Sequence, residues 1–333
     1  MPGMQIVPSR LYETDRLHQI GGLTFAARLA KENNMFFRIS MCFLVCIFGL
    51  CRAETTAIQQ VRYPAGSFTG DFRFSYPIRV LQLALDKTAK EYGPAQAVYA
   101  STPMNTGRIA SELEHGKLLD VATFPASRDL DRQFDAVPLD IRKGILGIRL
   151  FLIDRKQQPR FDLVKSAKDL QKMNAGQGFD WLDTKILERN GYPVTSSSSY
   201  EALFGMLMAG RFDYFPRGLY EPFEEQKAHQ AEFPDLTVEN SLALYYPYPD
   251  YFYVRKGNTV LATRLQKGLE LALQDGSFDT LFNAEFGASI KLAKLDRRTF
   301  FVLTNWEVSE IKHACDPKYW YINSIRPDVC APK

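Results

Sequence analysis

Ala175–Gly218 holds the residues whose types and spacing come nearest to chemistry. It opens with Gly176-Gln177-Gly178, then Phe179, Asp180 and a run of helical period. A helix that begins directly after a glycine-flanked turn exposes its first backbone N–H groups, a setting suited to an anion. Asp180 is equally well placed to cap those donors itself. Catalytic constellations are scarce by comparison. His115 sits at a predicted helix end, His229 in a polar helix and His313 near the C-terminus, and each reads as solvated. The chain has no Gly-x-Ser-x-Gly elbow, no phosphate loop and no Gly-x-Gly-x-x-Gly fingerprint. Ser196–Ser199 lacks His or Asp partners and reads as a loop that caps a helix. Carboxylates are numerous, so acid–base work is not excluded by sequence. Nothing points to a cofactor. A metal site is disfavoured, because His313 stands near Cys315 and Cys330 without Cys-x-x-Cys or His-x-x-x-His spacing.

The elements that must position these residues follow from periodicity. Leu182 and Ile186 lie four apart with Leu187 beside them, which predicts an apolar helix face over Asp180–Asn190 stopped by Gly191. A strand over Tyr192–Thr195, a helix over Tyr200–Ala209 and a strand over Arg211–Phe215 follow, the last ended by Pro216-Arg217-Gly218. Turn, helix, strand, helix, strand is the grammar of a parallel α/β lobe. Earlier, strands over Val61–Pro64, Ala95–Ala100 and Leu118–Phe124 alternate with helices over Tyr76–Lys90 and Asn105–Gly116. Lys143–Ile153 is an extended apolar run, and Asp162–Met173 reads as a short helix. Pro222–Phe233 reads as a polar helix. Leu242–Lys256 carries five tyrosines with Pro247 and Pro249, which suits a hinge or edge strand whose rings serve either cleft or core. Leu261, Leu265, Leu269 and Leu273 define a helix over Asn258–Gln274. Asp275-Gly276-Ser277 ends it and begins another over Phe278–Phe286.

Composition bounds the class. The 333 residues, 46% hydrophobic, are enough for two domains with substantial cores. A formal charge of +3 is too balanced to imply nucleic acid. Phe36-Phe37-Arg38, the apolar run Ile39–Leu50 and the small residues of Cys51-Arg52-Ala53 predict a secretory signal peptide cut before Glu54. An uncleaved anchor is the alternative, disfavoured because about 12 apolar residues are too few to span a bilayer. Met35 is a candidate true start. Leu50 directly before Cys51 weakens a lipoprotein reading. Residues 1–53 hold six Lys/Arg and three Asp/Glu, which leaves 35 of each sign beyond them. Cys315 and Cys330 then remain as one pair 15 residues apart, expected to form a disulfide in an oxidising compartment, with two free thiols as the alternative.

The polar helix start at Gly176–Asp180, the later Tyr-x-x-Leu helix at Tyr200 and Gly210-Arg211-Phe212-Asp213 resemble the second lobe of family 3 solute-binding proteins, of the type II periplasmic binding class. The resemblance covers roughly Arg62–Gly287. It implies an α/β fold of two lobes joined by two crossover strands, with a ligand cleft between them. Residues 1–53 would be a leader, 54–148 with 254–296 lobe one, 149–253 lobe two and 297–333 a C-terminal tail. In the family an arginine ahead of the first crossover binds the ligand carboxylate. Arg132 is nearest that position and Arg128 the fallback; a guanidinium suits the task because it offers two parallel donors. A solvated basic loop is the competing reading. Tyr63 and Thr123 on lobe-one strands, with Gly176, Gln177, Gly178, Asp180, Arg217 and Glu221 from lobe two, complete the implied ligand set. One departure concerns the ligand. Amino-acid receptors place an ammonium-binding aspartate where this chain has Gly218, directly after Arg217. Unless Glu221 substitutes, an ordinary α-amino acid is disfavoured. The implied function is a monomeric periplasmic receptor that closes on a small carboxylate-bearing ligand, serving ABC-type uptake through an inner-membrane permease. A sensor or interaction module is the alternative, and the existence of dehydratases with this fold keeps an enzyme in view.

Overall fold

A computed structural model describes residues 58–66, 71–308, 311 and 316–322. The predicted leader and both Cys315 and Cys330 lie outside these residues. The chain forms two α/β lobes built on four small sheets. In the first lobe, β1 (Gln59–Tyr63) pairs in parallel with β2 (Ala95–Tyr99). Nearby, β3 (Val121–Pro125) and β4 (Phe134–Val137) flank β11 (Asp250–Arg255), both antiparallel to it. In the second lobe, β6 (Ala175–Gly178) pairs in parallel with β7 (Val194–Ser197), and Ala175 bridges Tyr214. Central there is β5 (Ile148–Asp154), which receives β8 (Phe215–Gly218), β9 (Leu236–Val238) and β10 (Leu242–Tyr245), all antiparallel. The chain thus passes from the first lobe to the second through 138–147 and returns through 246–249.

Sequence pattern accounts for most of these elements. The leucines every four residues form the buried face of the Thr259–Gln274 helix, capped by Asn258 accepting from Leu261 N. That helix packs on Ser75–Lys87, whose Val80, Leu81, Ala84 and Leu85 are buried. Gly268 is required at the crossing, since a Cβ there would overlap the Ala84 backbone. Arg264, 3% exposed, fixes the same contact by donating to the Leu85 carbonyl at 3.3 Å and the Gly93 carbonyl at 2.7 Å. Helix Thr106–His115 has Asn105 as N-cap and Gly116 in the left-handed conformation at its end, as its sequence predicts.

Four elements differ from expectation. The strand expected over Arg211–Phe215 and ended by Pro216-Arg217-Gly218 instead runs Phe215–Gly218, antiparallel to β5. Gly176-Gln177-Gly178 is not a turn but the buried strand β6; the glycines admit the Phe212 and Trp181 rings, where a Cβ would collide. Asp162–Met173 splits into two short helices, Gln158–Asp162 and Ala167–Leu170, the second started by a Ser166/Asp169 capping box. The helix after Gly276 runs from Ser277 to Ala293, well beyond Phe286.

Residues 298–308 and 316–322 are integrated into the fold. β12 (Thr299–Val302) extends the β10 edge in parallel. Next, Thr304 exchanges hydrogen bonds with the Asn190 side chain at 2.9 and 3.1 Å, and Arg189 pairs with Glu307 at 2.6 Å. Asn305 Nδ2 donates to the Pro247 carbonyl in the return crossover. Arg128 N of the first lobe donates to the Glu307 carbonyl at 2.9 Å, and Val308 packs on the first-lobe core. Trp320, 1% exposed, lies against Gly144 of the outgoing crossover, and Tyr321 N donates to the Lys143 carbonyl. One segment therefore ties both lobes and both crossovers together.

Candidate functional site

A cavity of about 380 Å³ lies between the lobes. The first lobe contributes Arg73, Thr106, Gly107, Ala110, Phe124, Pro125, Ser127 and Leu130. The second contributes Arg149, Asp180, Trp181, Leu182, Asp183, Arg217 and Glu221, with Leu146 and Tyr248 from the crossovers. Helices Thr106–His115 and Leu182–Arg189 bring their first residues to this space, and Glu221, the N-cap of Pro222–His229, lines it with its carboxylate. Their macrodipoles place positive potential there.

Each cavity arginine has a carboxylate behind it. Arg217, 3% exposed, meets Glu225 through Nε and Nη2 at 2.6–2.9 Å, and Nη2 also lies 3.0 Å from Glu221. Its guanidinium sits 4.9 Å from the Trp181 ring centre and 4.8 Å from that of Phe215. Tyr200 donates to the same Glu225. Burial opposes the Arg217 charge, but Glu221 and Glu225 outweigh it and hold its pKa well above the ordinary value. Arg73 pairs with Asp71 at 2.6 Å and reaches across the cleft to lie 4.8 Å over the Tyr200 ring. Arg149, also 3% exposed, has Nη2 2.6 Å from Asp183 Oδ1 and stacks 4.9 Å from the Tyr248 ring centre. Tyr246 and Tyr248 both donate to Asp183, so that carboxylate is saturated from the hinge side.

Behind the outgoing crossover lies a further buried charge cluster. Arg142 donates to Asp250 at 2.7 Å and stacks 4.7 Å over Tyr220. Asp140 accepts from the backbone N–H groups of Arg142, Gly144 and Asp250. Burial raises its pKa to about 7 against those donors.

The residues implied by resemblance divide into two groups. Asp180, Arg217 and Glu221 meet at the cavity. Glu221 is already engaged, since its Oε2 accepts from Gly218 N at 2.7 Å. Arg132 and Arg128 do not line the cavity. They sit on a short helix, Arg128–Gln133, whose Leu130 faces it; positions two residues away lie about 200° around the helix and point elsewhere. The Arg132 side chain is 73% exposed and pairs with Asp129. Tyr63 and Thr123 hydrogen-bond each other at 2.6 Å away from the cavity lining, with Tyr63 fully buried. Gly176, Gln177 and Gly178 are strand residues in the core, and Gln177 donates to the Pro216 carbonyl. Asp180 does not cap the following helix, whose N-cap position is Trp181. Of the five tyrosines in Leu242–Lys256, Tyr248 reaches the cavity and Tyr245, Tyr246, Tyr251 and Tyr253 pack in the core. His229 stacks on Phe204 with ring centres 3.8 Å apart, and no group of His, Cys, Asp and Glu suited to a metal ion occurs among the described residues.

Sequence reasoning missed Arg73, Arg149, Trp181 and Asp183. Arg149 had a signal, as the lone cation within Gly144–Ile153. A charge placed inside an otherwise apolar strand is costly unless it is paired or put to use.

Known structures share the architecture over about two thirds of the chain. An ancestral arginine-binding protein bound to arginine superposes with a TM-score of 0.52 at 19% identity, covering 68% of this chain and 98% of its own. The fold is that of a type II periplasmic binding protein. An arginine-specific periplasmic binding protein of Salmonella typhimurium gives 0.51 at 13% identity over 68% of this chain and 99% of that one. A histidine kinase sensor domain similar to periplasmic binding proteins gives 0.51 at 16% identity over 69% and 97%. No protein-family model matches the chain, and no curated protein matches it in sequence.

Proposed function

We propose that the chain is an exported, periplasmic receptor whose cleft closes on one small carboxylate-bearing solute. The observation that carries this reading is the cavity of about 380 Å³ between the lobes, faced by Arg73, Arg149, Arg217 and two helix N-termini. Its volume falls in the range of roughly 300–1,000 Å³ typical of small-molecule sites. Hinge closure of two lobes removes water from such a site and strengthens every charge contact inside it. The structural neighbours named above include two arginine binders. Here the three guanidinium groups of the cavity wall are matched by the carboxylates of Asp180, Asp183 and Glu221, a wall without net charge that suits a small organic acid or an amino-acid-like solute. Uptake through an ABC-type permease is the role that fits a freely closing cleft. The segment 303–308, which ties the lobes together, favours a second role in which a partner protein reads the closed shape. A thermal-shift screen of the full chain against amino acids, small organic acids, di-acids and short peptides tests the receptor reading. A saturable stabilisation by one carboxylate class supports it, and none across the panel refutes it.

A further inference from the structure

Glu307 binds two elements that form opposite walls of the cavity. Its Oε1 lies 2.6 Å from Arg189 Nη1, at the end of the Leu182–Arg189 helix whose first residues line the second-lobe wall. Its backbone carbonyl accepts from Arg128 N at 2.9 Å, at the start of the Arg128–Gln133 helix. Ser127, the N-cap of that helix, and Leu130 within it line the first-lobe wall. Neighbouring residues fix Glu307 in place. Asn305 donates to the Pro247 carbonyl at 2.8 Å and accepts from Glu307 N at 3.0 Å, which seats the turn on the return crossover. The two ends of the segment are not equally held. Toward the second lobe stand the Arg189 pair, two hydrogen bonds between Thr304 and Asn190, and the pairing of β12 with β10 just upstream. Toward the first lobe stand the Arg128 N–H and the partly buried Val308, packed on the core that holds Phe124 and Tyr253.

We infer that residues 304–308 are a latch that holds the two cavity walls together by the protein's own contacts, and that the cleft opens only when Glu307 and Val308 leave the first lobe. A rotation that parts the walls carries Arg128 away from Arg189. The 2.9 Å bond between Arg128 N and the Glu307 carbonyl does not survive stretching by about 1 Å. Val308 loses its apolar contacts in the same motion, while the second-lobe end stays tied. One hydrogen bond and one apolar contact bias the equilibrium toward the closed arrangement and still permit opening. Arg73, 4.8 Å over the Tyr200 ring across the cleft, adds to the same bias. The latch acts whatever solute the cleft takes, and its test needs none.

The test releases the first-lobe end and reads the lobes. Arg128→Pro removes the N–H that Glu307 accepts. Arg128 is the first helical residue and Ser127 before it is extended at ψ 153°, so proline fits the backbone. Val308→Asp reaches the same end through the apolar contact and serves should Arg128→Pro fail to fold. Hydrogen exchange of the exported protein, read by mass spectrometry, should quicken over 303–308 roughly three- to thirtyfold in either variant. Exchange in the Thr259–Gln274 helix should not change. Small-angle X-ray scattering of Arg128→Pro/Val308→Asp should give a larger radius of gyration than the parent, with an unchanged far-UV circular dichroism spectrum. Glu307→Ala, which frees only a charge contact at the better-held end, should expand the protein less. Unchanged exchange over 303–308 in the folded variants overturns the latch. Faster exchange with no gain in radius overturns it equally, because the segment then frays without holding the lobes.

Discussion

Replacing Arg217 with alanine separates a structural from a ligand-binding role for a residue that resemblance placed in the ligand set. In the structure Arg217 is 3% exposed and satisfies Glu225, 1% exposed, and Glu221, 6% exposed. Truncation leaves two buried carboxylates without their cation and removes the guanidinium that lies against the Trp181 and Phe215 rings. Removing one partner of a buried pair costs about 3–5 kcal/mol. At about 2–4 °C per kcal/mol for a chain of this size, the melting temperature should fall by about 6–20 °C. Arg132→Ala is the control: an exposed side chain paired with exposed Asp129 should change stability by less than about 0.5 kcal/mol. Calorimetric or circular-dichroism melts of the ligand-free protein measure both. Combining Arg217→Met with Glu225→Gln should recover part of the loss, because one of the two stranded charges is then gone. A ligand-free Arg217→Ala protein that melts within 2 °C of the parent, by contrast with the range worked above, would refute the structural role.

Further expectations follow from other parts of the molecule. The Asp140 carboxyl, raised to about 7 by burial from 3.8, binds its proton more tightly folded than unfolded; stability from it is present at low pH and lost as pH climbs between about 4 and 7. Melting temperature should therefore be higher at pH 5 than at pH 8, and this slope should flatten in Asp140→Asn; an unchanged slope contradicts the assignment. Glu307→Ala removes the Arg189 pair of the segment that bridges the lobes and should speed proteolysis in 303–308 with little change in melting temperature; an unaltered cleavage pattern argues against a strap. N-terminal sequencing of the exported protein should begin at Glu54, and recovery of Met1 or Met35 contradicts processing there. Thiol titration after unfolding without reductant should find Cys315 and Cys330 bonded, a closure worth roughly 3 kcal/mol in the chain-entropy account; two reactive thiols contradict it.

The architecture was legible because periodicity and caps agreed with tertiary packing. The leucine ladder of Thr259–Gln274 and the Asn105 and Gly116 ends of the Thr106–His115 helix stand where their residues predict. The site was less legible because small residues carry two meanings. Gly176 and Gly178 read as a turn with open donors, yet their use is close approach of the Phe212 and Trp181 rings to a strand. Arg132 occupies the position that resemblance assigns to the anchor, but a single helical turn rotates it to solvent and brings Leu130 to the cavity. Arg149 looked like one residue of an apolar strand. Only the spatial meeting of β5 with the Leu182–Arg189 helix reveals its donors, and that contact is set by side chains more than 30 residues apart.

The central claim is that the cavity between the lobes is where a carboxylate-bearing solute binds. Ala110 lies in its wall on the half-exposed inner face of the Thr106–His115 helix, so Ala110→Trp fills space without disturbing a buried core position. Titration of a solute that stabilises the parent into this variant is the most direct measurement. Loss of binding with an unchanged ligand-free melting temperature is the predicted result, and undiminished affinity in the folded Ala110→Trp protein would place the solute elsewhere and contradict the account.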